Sequence, residues 1–221
     1  MESKSSNGFN FKKVLQFACE LLIAAIVVCG VFFVCSKFGK KPYSYEIYER
    51  KTELKYDEVR ADLLRAVDSY IREKSPNSVM NSFAFLDASD EYDIDLRFML
   101  AQCQLESNFS TTGIAMKTLS AFNVYAYDGK SAGKMVEENH KYRHPDLSIA
   151  DYCKMLNSKY IVAGKTEFDM MDKYVNAEGK RYASSPDYEM RLRMIFDTIS
   201  NETQIGSLYQ EYIKYKIICQ K

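Results

Sequence analysis

Apolar and polar positions along this chain follow a helical rhythm over most of its length. Val59, Leu63, Val67 and Tyr70 recur at three- and four-residue steps with charge on the opposite face, which predicts a helix over Glu46 to Lys74. Ser75-Pro76-Asn77-Ser78 ends it, because Pro76 pushes Ser75 away from helical dihedrals. A shorter helix is predicted over Val79 to Ala88. Leu96, Met99, Leu100, Cys103 and Leu105 then form one apolar stripe, with Asp93 or Asp95 as the cap and Glu106 at the helix end. Ser107 to Thr112 is polar and breaks the pattern, and Gly113 to Leu119 reads as another helical turn. Val124 to Tyr127, followed by Asp128-Gly129, reads as a short strand and turn. His144-Pro145-Asp146 opens a helix over Leu147 to Leu156. Further helices are predicted over Glu167 to Val175, Asp187 to Ile199 and Gly206 to Ile218. The expected fold class is mainly α with a small β element.

The N-terminus follows a different rule. After a polar tail (1–13), the segment 14–36 holds the uninterrupted apolar run Leu21 to Cys35. That run is shorter than the roughly 20 residues of a spanning helix, and reaching back to Val14 supplies the length at the expense of including Gln16 and Glu20. We read it as a single-pass transmembrane signal anchor; a cleaved signal peptide is the rival reading. The expected organisation is therefore a tail (1–13), an anchor (14–36), a linker and stalk helix (37–75) and a folded domain (76–221). Lys4, Lys12 and Lys13 on one side balance Lys37, Lys40 and Lys41 on the other, so charge does not orient the anchor.

With 30 basic and 30 acidic side chains the net charge is zero, and no basic stripe marks a nucleic-acid partner. Six cysteines occur without a CxxC pair, which argues against a zinc ribbon, and Cys103 and Cys153 fall in apolar helical patterns as small buried thiols. His140 and His144 have metal-ligand spacing, but the order is not H-E-x-x-H and Pro145 follows at once. No metal and no cofactor is expected.

The stretch that carries chemistry is Ala101-Gln102-Cys103-Gln104-Leu105-Glu106-Ser107-Asn108-Phe109-Ser110. An amphipathic helix delivers one carboxyl group at its end beside an aromatic residue, and desolvation raises a carboxyl pKa toward what a general acid requires. This stretch resembles the glucosaminidase family of peptidoglycan hydrolases, glycoside hydrolase family 73, through Ala101, Gln102, Leu105, Glu106, Ser107, Phe109 and Ala115. Three further stretches match in order: Ala121 to Tyr125, Tyr142 to Tyr152, and Arg181-Tyr182-Ala183-Ser184-Ser185-Pro186-Asp187-Tyr188. Together they cover about residues 77 to 200.

The resemblance implies a lysozyme-like helical domain that cleaves glycan strands next to N-acetylglucosamine, with Glu106 as catalytic acid and Tyr182 beside the reacting sugar. Phe109, Phe122, Asn123 and Tyr125 would contact substrate, and Asp128, Glu137 or Glu138 would supply any second carboxylate. The partners would be peptidoglycan glycan strands and, through the N-terminal helix, the inner membrane, with the domain on its periplasmic or extracytoplasmic side, in a bacterium or a phage. The chain departs from the family pattern at Ser110, where the family has Gly, and at Phe109, where it has Trp. Two alternatives stay open: a lytic transglycosylase, and a non-catalytic wall-binding or membrane-anchored assembly module that keeps the fold.

Overall fold

A computed structural model describes residues 43–124, 142–162, 164–172, 176 and 178–220. The segment expected as an anchor (14–36) lies outside them; among the described residues no helix is long and apolar enough to cross a membrane. Contacts divide the chain into two units, Met1–Arg50 and Lys51–Lys221.

The elements of the second unit are helices: α1 (Tyr43–Lys74, in this unit from Lys51), α2 (Ser82–Tyr92), α3 (Leu96–Ser107), the single turn α4 (Ala115–Thr118), α5 (Leu147–Lys159), a 3-10 turn (Glu167–Met171), α6 (Tyr188–Asn201) and α7 (Gln204–Cys219). No strand occurs among the described residues. Of the expected strand, Val124 sits in a turn, and Tyr125 to Tyr127 lie outside the described residues. The helix expected over Glu167 to Val175 is only a 3-10 turn, closed by a capping box in which Thr166 and Asp169 satisfy each other's backbone donors.

α3 is the central helix. Leu96, Phe98, Met99, Leu100, Ala101, Gln102 and Cys103 are all fully buried, so it is apolar on more than one face and packs against α2, α6 and α7. Asp95 is its N-cap, accepting from Arg97 N at 2.8 Å, whereas Asp93 ends α2 in the left-handed conformation. The expected pair of capping candidates thus divides between two helix ends.

The helix expected as a stalk does different work from residue 51 on. Val59, Leu63, Leu64, Val67, Tyr70 and Ile71 are buried in the same core as α3, so this part of α1 is a structural wall of the domain and the compact unit begins at Lys51 rather than at residue 76.

With no Trp in the chain, the core relies on smaller rings. Tyr70 meets Phe109 edge-on at 6.2 Å, Phe109 meets Phe85 at 6.3 Å, Phe85 meets Phe122 at 6.4 Å, and Phe122 stacks on Tyr152 at 3.6 Å. This row links α1, α2 and α5 through the two loops that flank the site. Each such pair adds about 0.5–1.5 kcal/mol beyond burial.

Candidate active site

Glu106 owes its position to the way α3 ends. The next residues, Asn108, Phe109 and Ser110, all take positive φ (46°, 56° and 65°), which turns the chain sharply and leaves Glu106 on the last helical turn. Asn108 caps α3 with its backbone N–H and donates its side-chain amide to Lys74 O at 3.2 Å, closing the end of α1 as well. The buried Ser107 hydroxyl donates to Ala121 O and accepts from Ser110 N at 2.8 Å, tying the loop after α3 to the next one. Ser110 is at a left-handed position; its backbone N–H bond to the Ser107 hydroxyl and its own hydroxyl bond to Ala115 O hold a conformation that costs an L-residue about 1 kcal/mol.

Glu106 opens onto a cleft of about 590 Å³ whose walls include Asn123, Met155, Lys159, Tyr160 and Tyr182. Both carboxyl oxygens are held. Tyr188 donates its phenolic hydrogen to Oε1 at 2.7 Å, and Asn123 Nδ2 donates to Oε2 at 3.1 Å and to the Glu106 carbonyl at 2.9 Å. Burial raises the Glu106 pKa above its ordinary value, and the two hydrogen bonds, which favour the charged form, offset only part of that. The carboxyl group therefore holds its proton to higher pH than a solvated glutamate.

Tyr182 faces the same cleft. Its ring stacks on Tyr188 at 5.7 Å and tilts against Tyr160 at 5.4 Å, and its hydroxyl donates to Phe122 O at 3.4 Å. The turn that carries both tyrosines is pinned by Arg181, whose guanidinium grips the Glu189 carboxylate and also donates to Ser185 O at 3.0 Å.

The other expected site residues separate. Asn123 is in the site, at φ 55°, with its amide nitrogen engaged by Glu106 and its Oδ1 buried without a partner among the described residues. Phe122 reaches the cleft, but its ring is 1% exposed and stacked on Tyr152. Phe109 is not a cleft residue: it is 0% exposed between Tyr70 and Phe85, because the left-handed turn after Asn108 swings it inward. Tyr125, Asp128, Glu137 and Glu138 lie outside the described residues. Among the residues lining the described cleft, Glu106 is the one carboxylate.

Cys103 and Cys153 are buried, and burial pushes both thiols up, Cys153 to about 12, which removes the thiolate a nucleophile would need. Two residues that touch the carboxyl system, Tyr188 and Gln102, do not figure among the expected site residues. Both stand inside the matching motifs, and Gln102 precedes Glu106 by four residues, the spacing that puts two side chains on one helix face.

Comparison with known proteins bears on this arrangement. The glucosaminidase family model, described as mannosyl-glycoprotein endo-β-N-acetylglucosaminidase, matches residues 83–201, a segment that holds Glu106, Asn123, Tyr182 and Tyr188. No curated protein and no solved structure matches the chain.

Proposed function

Because this chain belongs to the glucosaminidase family of glycoside hydrolases, we propose that it hydrolyses peptidoglycan strands next to N-acetylglucosamine, with Glu106 as the general acid. The observation that carries the reading is a partly buried carboxyl group with raised proton affinity, opening onto the same cleft as Tyr182. A cleft of about 590 Å³ is of ligand-binding size, and its aromatic and polar walls suit a sugar's apolar faces and hydroxyls.

In the proposed step the Glu106 proton passes to the glycosidic oxygen as the C–O bond breaks, and the bonding pair goes to that oxygen. Glu106 is left as a carboxylate, which the bonds from Tyr188 and Asn123 stabilise. Water then adds to the anomeric carbon and returns a proton to Glu106. The group that bonds the anomeric carbon as the C–O bond breaks is a carboxylate (Asp128, Glu137 or Glu138) or the 2-acetamido oxygen of the substrate, which that water then displaces; in an inverting reaction the water attacks directly. In this reading Tyr182, which lines the cleft, orients the sugar or the water through its hydroxyl. The apolar run at 21–35 supports a tether that holds the domain against the wall from the membrane, raising its effective concentration there.

Purified sacculi provide the test. The wild-type chain should solubilise them and release reducing-end N-acetylglucosamine, while Glu106→Gln should lose at least about 10²-fold in rate. Equal behaviour of the two proteins removes the enzyme reading in favour of a binding module, and anhydro-muramic ends would reassign the reaction to a lytic transglycosylase.

A further inference from the structure

Behind Glu106 runs a line of buried polar groups that the acid's own chemistry does not require. Gln102 Nε2 bonds the Tyr188 hydroxyl at 2.9 Å, and the Tyr152 hydroxyl bonds Gln102 Oε1. Gln102 and Tyr152 are 0% exposed and Tyr188 is 7% exposed. Three elements supply the line: α5 gives Tyr152, α3 gives Gln102 and Glu106, and the first residue of α6 is Tyr188.

The direction of these bonds follows from counting hydrogens. An ionised carboxylate can only accept, so Tyr188 must donate to Oε1. A phenol has one hydrogen, so toward Gln102 it can only accept, which requires the amide nitrogen on that side. The amide oxygen then faces Tyr152, which donates to it. One hydrogen per hydroxyl thus fixes the whole line as donors running toward Oε1.

We infer that Tyr152, Gln102 and Tyr188 are positioning residues that keep Oε1 an acceptor and so confine the catalytic proton to Oε2, on the side of Asn123 and the cleft. A proton on Oε1 would have to donate to Tyr188. Tyr188 would then need to turn its own hydrogen onto Gln102, and the amide would have to flip, leaving two donors facing each other or Tyr152 without its acceptor. In a water-poor interior each such mismatch is costly, and this is what makes the arrangement selective. With the proton on Oε2, Tyr188, Gln102 and Tyr152 all keep their bonds, and only the Asn123 contact to Oε2 weakens. The other titratable groups near the carboxyl are Tyr182 and the Cys103 thiol, both kept neutral by burial, and Lys159 stands on the cleft wall. None of them competes for Oε1 in the described contacts.

The inference rests on the reading of Glu106 as the acid, so the test has a readout that does not need turnover. Carboxyl-labelled glutamate gives a carbon NMR titration of the full chain, with the Glu106 signal identified by its loss in Glu106→Gln. Tyr188→Phe should raise the Glu106 midpoint by about one pH unit, the effect of losing one hydrogen bond to a charged acceptor. Tyr152→Phe, which keeps the ring stacked on Phe122, should raise it less but in the same direction. On sacculi, both variants should lower kcat with KM kept, and the basic limb of the pH profile should move up with the midpoint. Unmoved midpoints in both folded variants overturn the relay while leaving the acid in place. If wild type and Glu106→Gln are equally inactive but the midpoints move as stated, the relay stands and the glycosidase reading falls.

Discussion

Tyr182 and Tyr188 stack with ring centroids 5.7 Å apart, and it is the inner ring, Tyr188, that hydrogen-bonds Glu106. The outer ring lines the cleft. One short motif therefore supplies both positions: its first tyrosine lines the cleft, and its last holds the carboxyl group.

That division predicts different behaviour for two substitutions at the outer position. Tyr182→Phe keeps the stack and loses a hydroxyl whose bond to Phe122 O is long at 3.4 Å, so stability should stay within about 0.5 kcal/mol of wild type while the rate on sacculi falls about 10-fold or more. Tyr182→Ala also removes the ring that supports Tyr188 and should lower the melting temperature. Thermal unfolding and rate measurements on the same preparations separate the two effects.

Asn123 sits at φ 55°, where glycine is at ease and alanine is not. Asn123→Gly removes the amide while keeping the turn. We expect it to raise the Glu106 pKa, shifting the basic limb of the rate profile upward. Asn123→Ala should show the same kinetic change with about 1 kcal/mol of added destabilisation. A denaturation curve beside a pH–rate profile checks both.

Phe109 should behave as a core residue. Phe109→Ala removes a ring held between Tyr70 and Phe85 and should cost about 3–5 kcal/mol of stability. Phe109→Leu, which keeps most of the volume, should leave KM unchanged in the protein that folds. A rise in KM without loss of stability would return Phe109 to the binding surface.

The raised proton affinity of Glu106 has a sign in stability as well as in rate. Its folded pKa lies above its unfolded value, so its proton linkage favours the fold below the unfolded value and that contribution is lost as pH rises through the folded one. Against Glu106→Gln, which does not titrate there, wild type should lose relative stability on going from acid to neutral pH. Unfolding free energies of the two proteins across that range measure it directly.

The helices were legible because each writes its inward face as a stripe, and Asp95, Pro76 and Pro145 mark their edges. Glu106 stood out because the carboxylate that closes the α3 stripe falls inside a stretch that resembles the glucosaminidase family; a helix-end glutamate alone would not have marked it. What the stripe could not convey is depth: Phe109 is apolar beside an acid in either case, and only three consecutive left-handed residues turn it inward. Gln102 and Tyr152 were hidden for a related reason. A buried polar residue in an apolar pattern looks like an exception until its partners, 86 residues away for the Gln102–Tyr188 pair, are seen beside it.

α1 gives the molecule an edge that kinship does not mark. The matched segment starts at residue 83, yet Val59, Leu63, Val67 and Tyr70 fill the interior from outside it, as Tyr209 and Tyr212 of α7 do from beyond residue 201. A gene fragment trimmed to the matched boundaries would strip two walls from the domain and take away the Tyr70 ring that covers Phe109. The compact unit that holds this interior begins at Lys51.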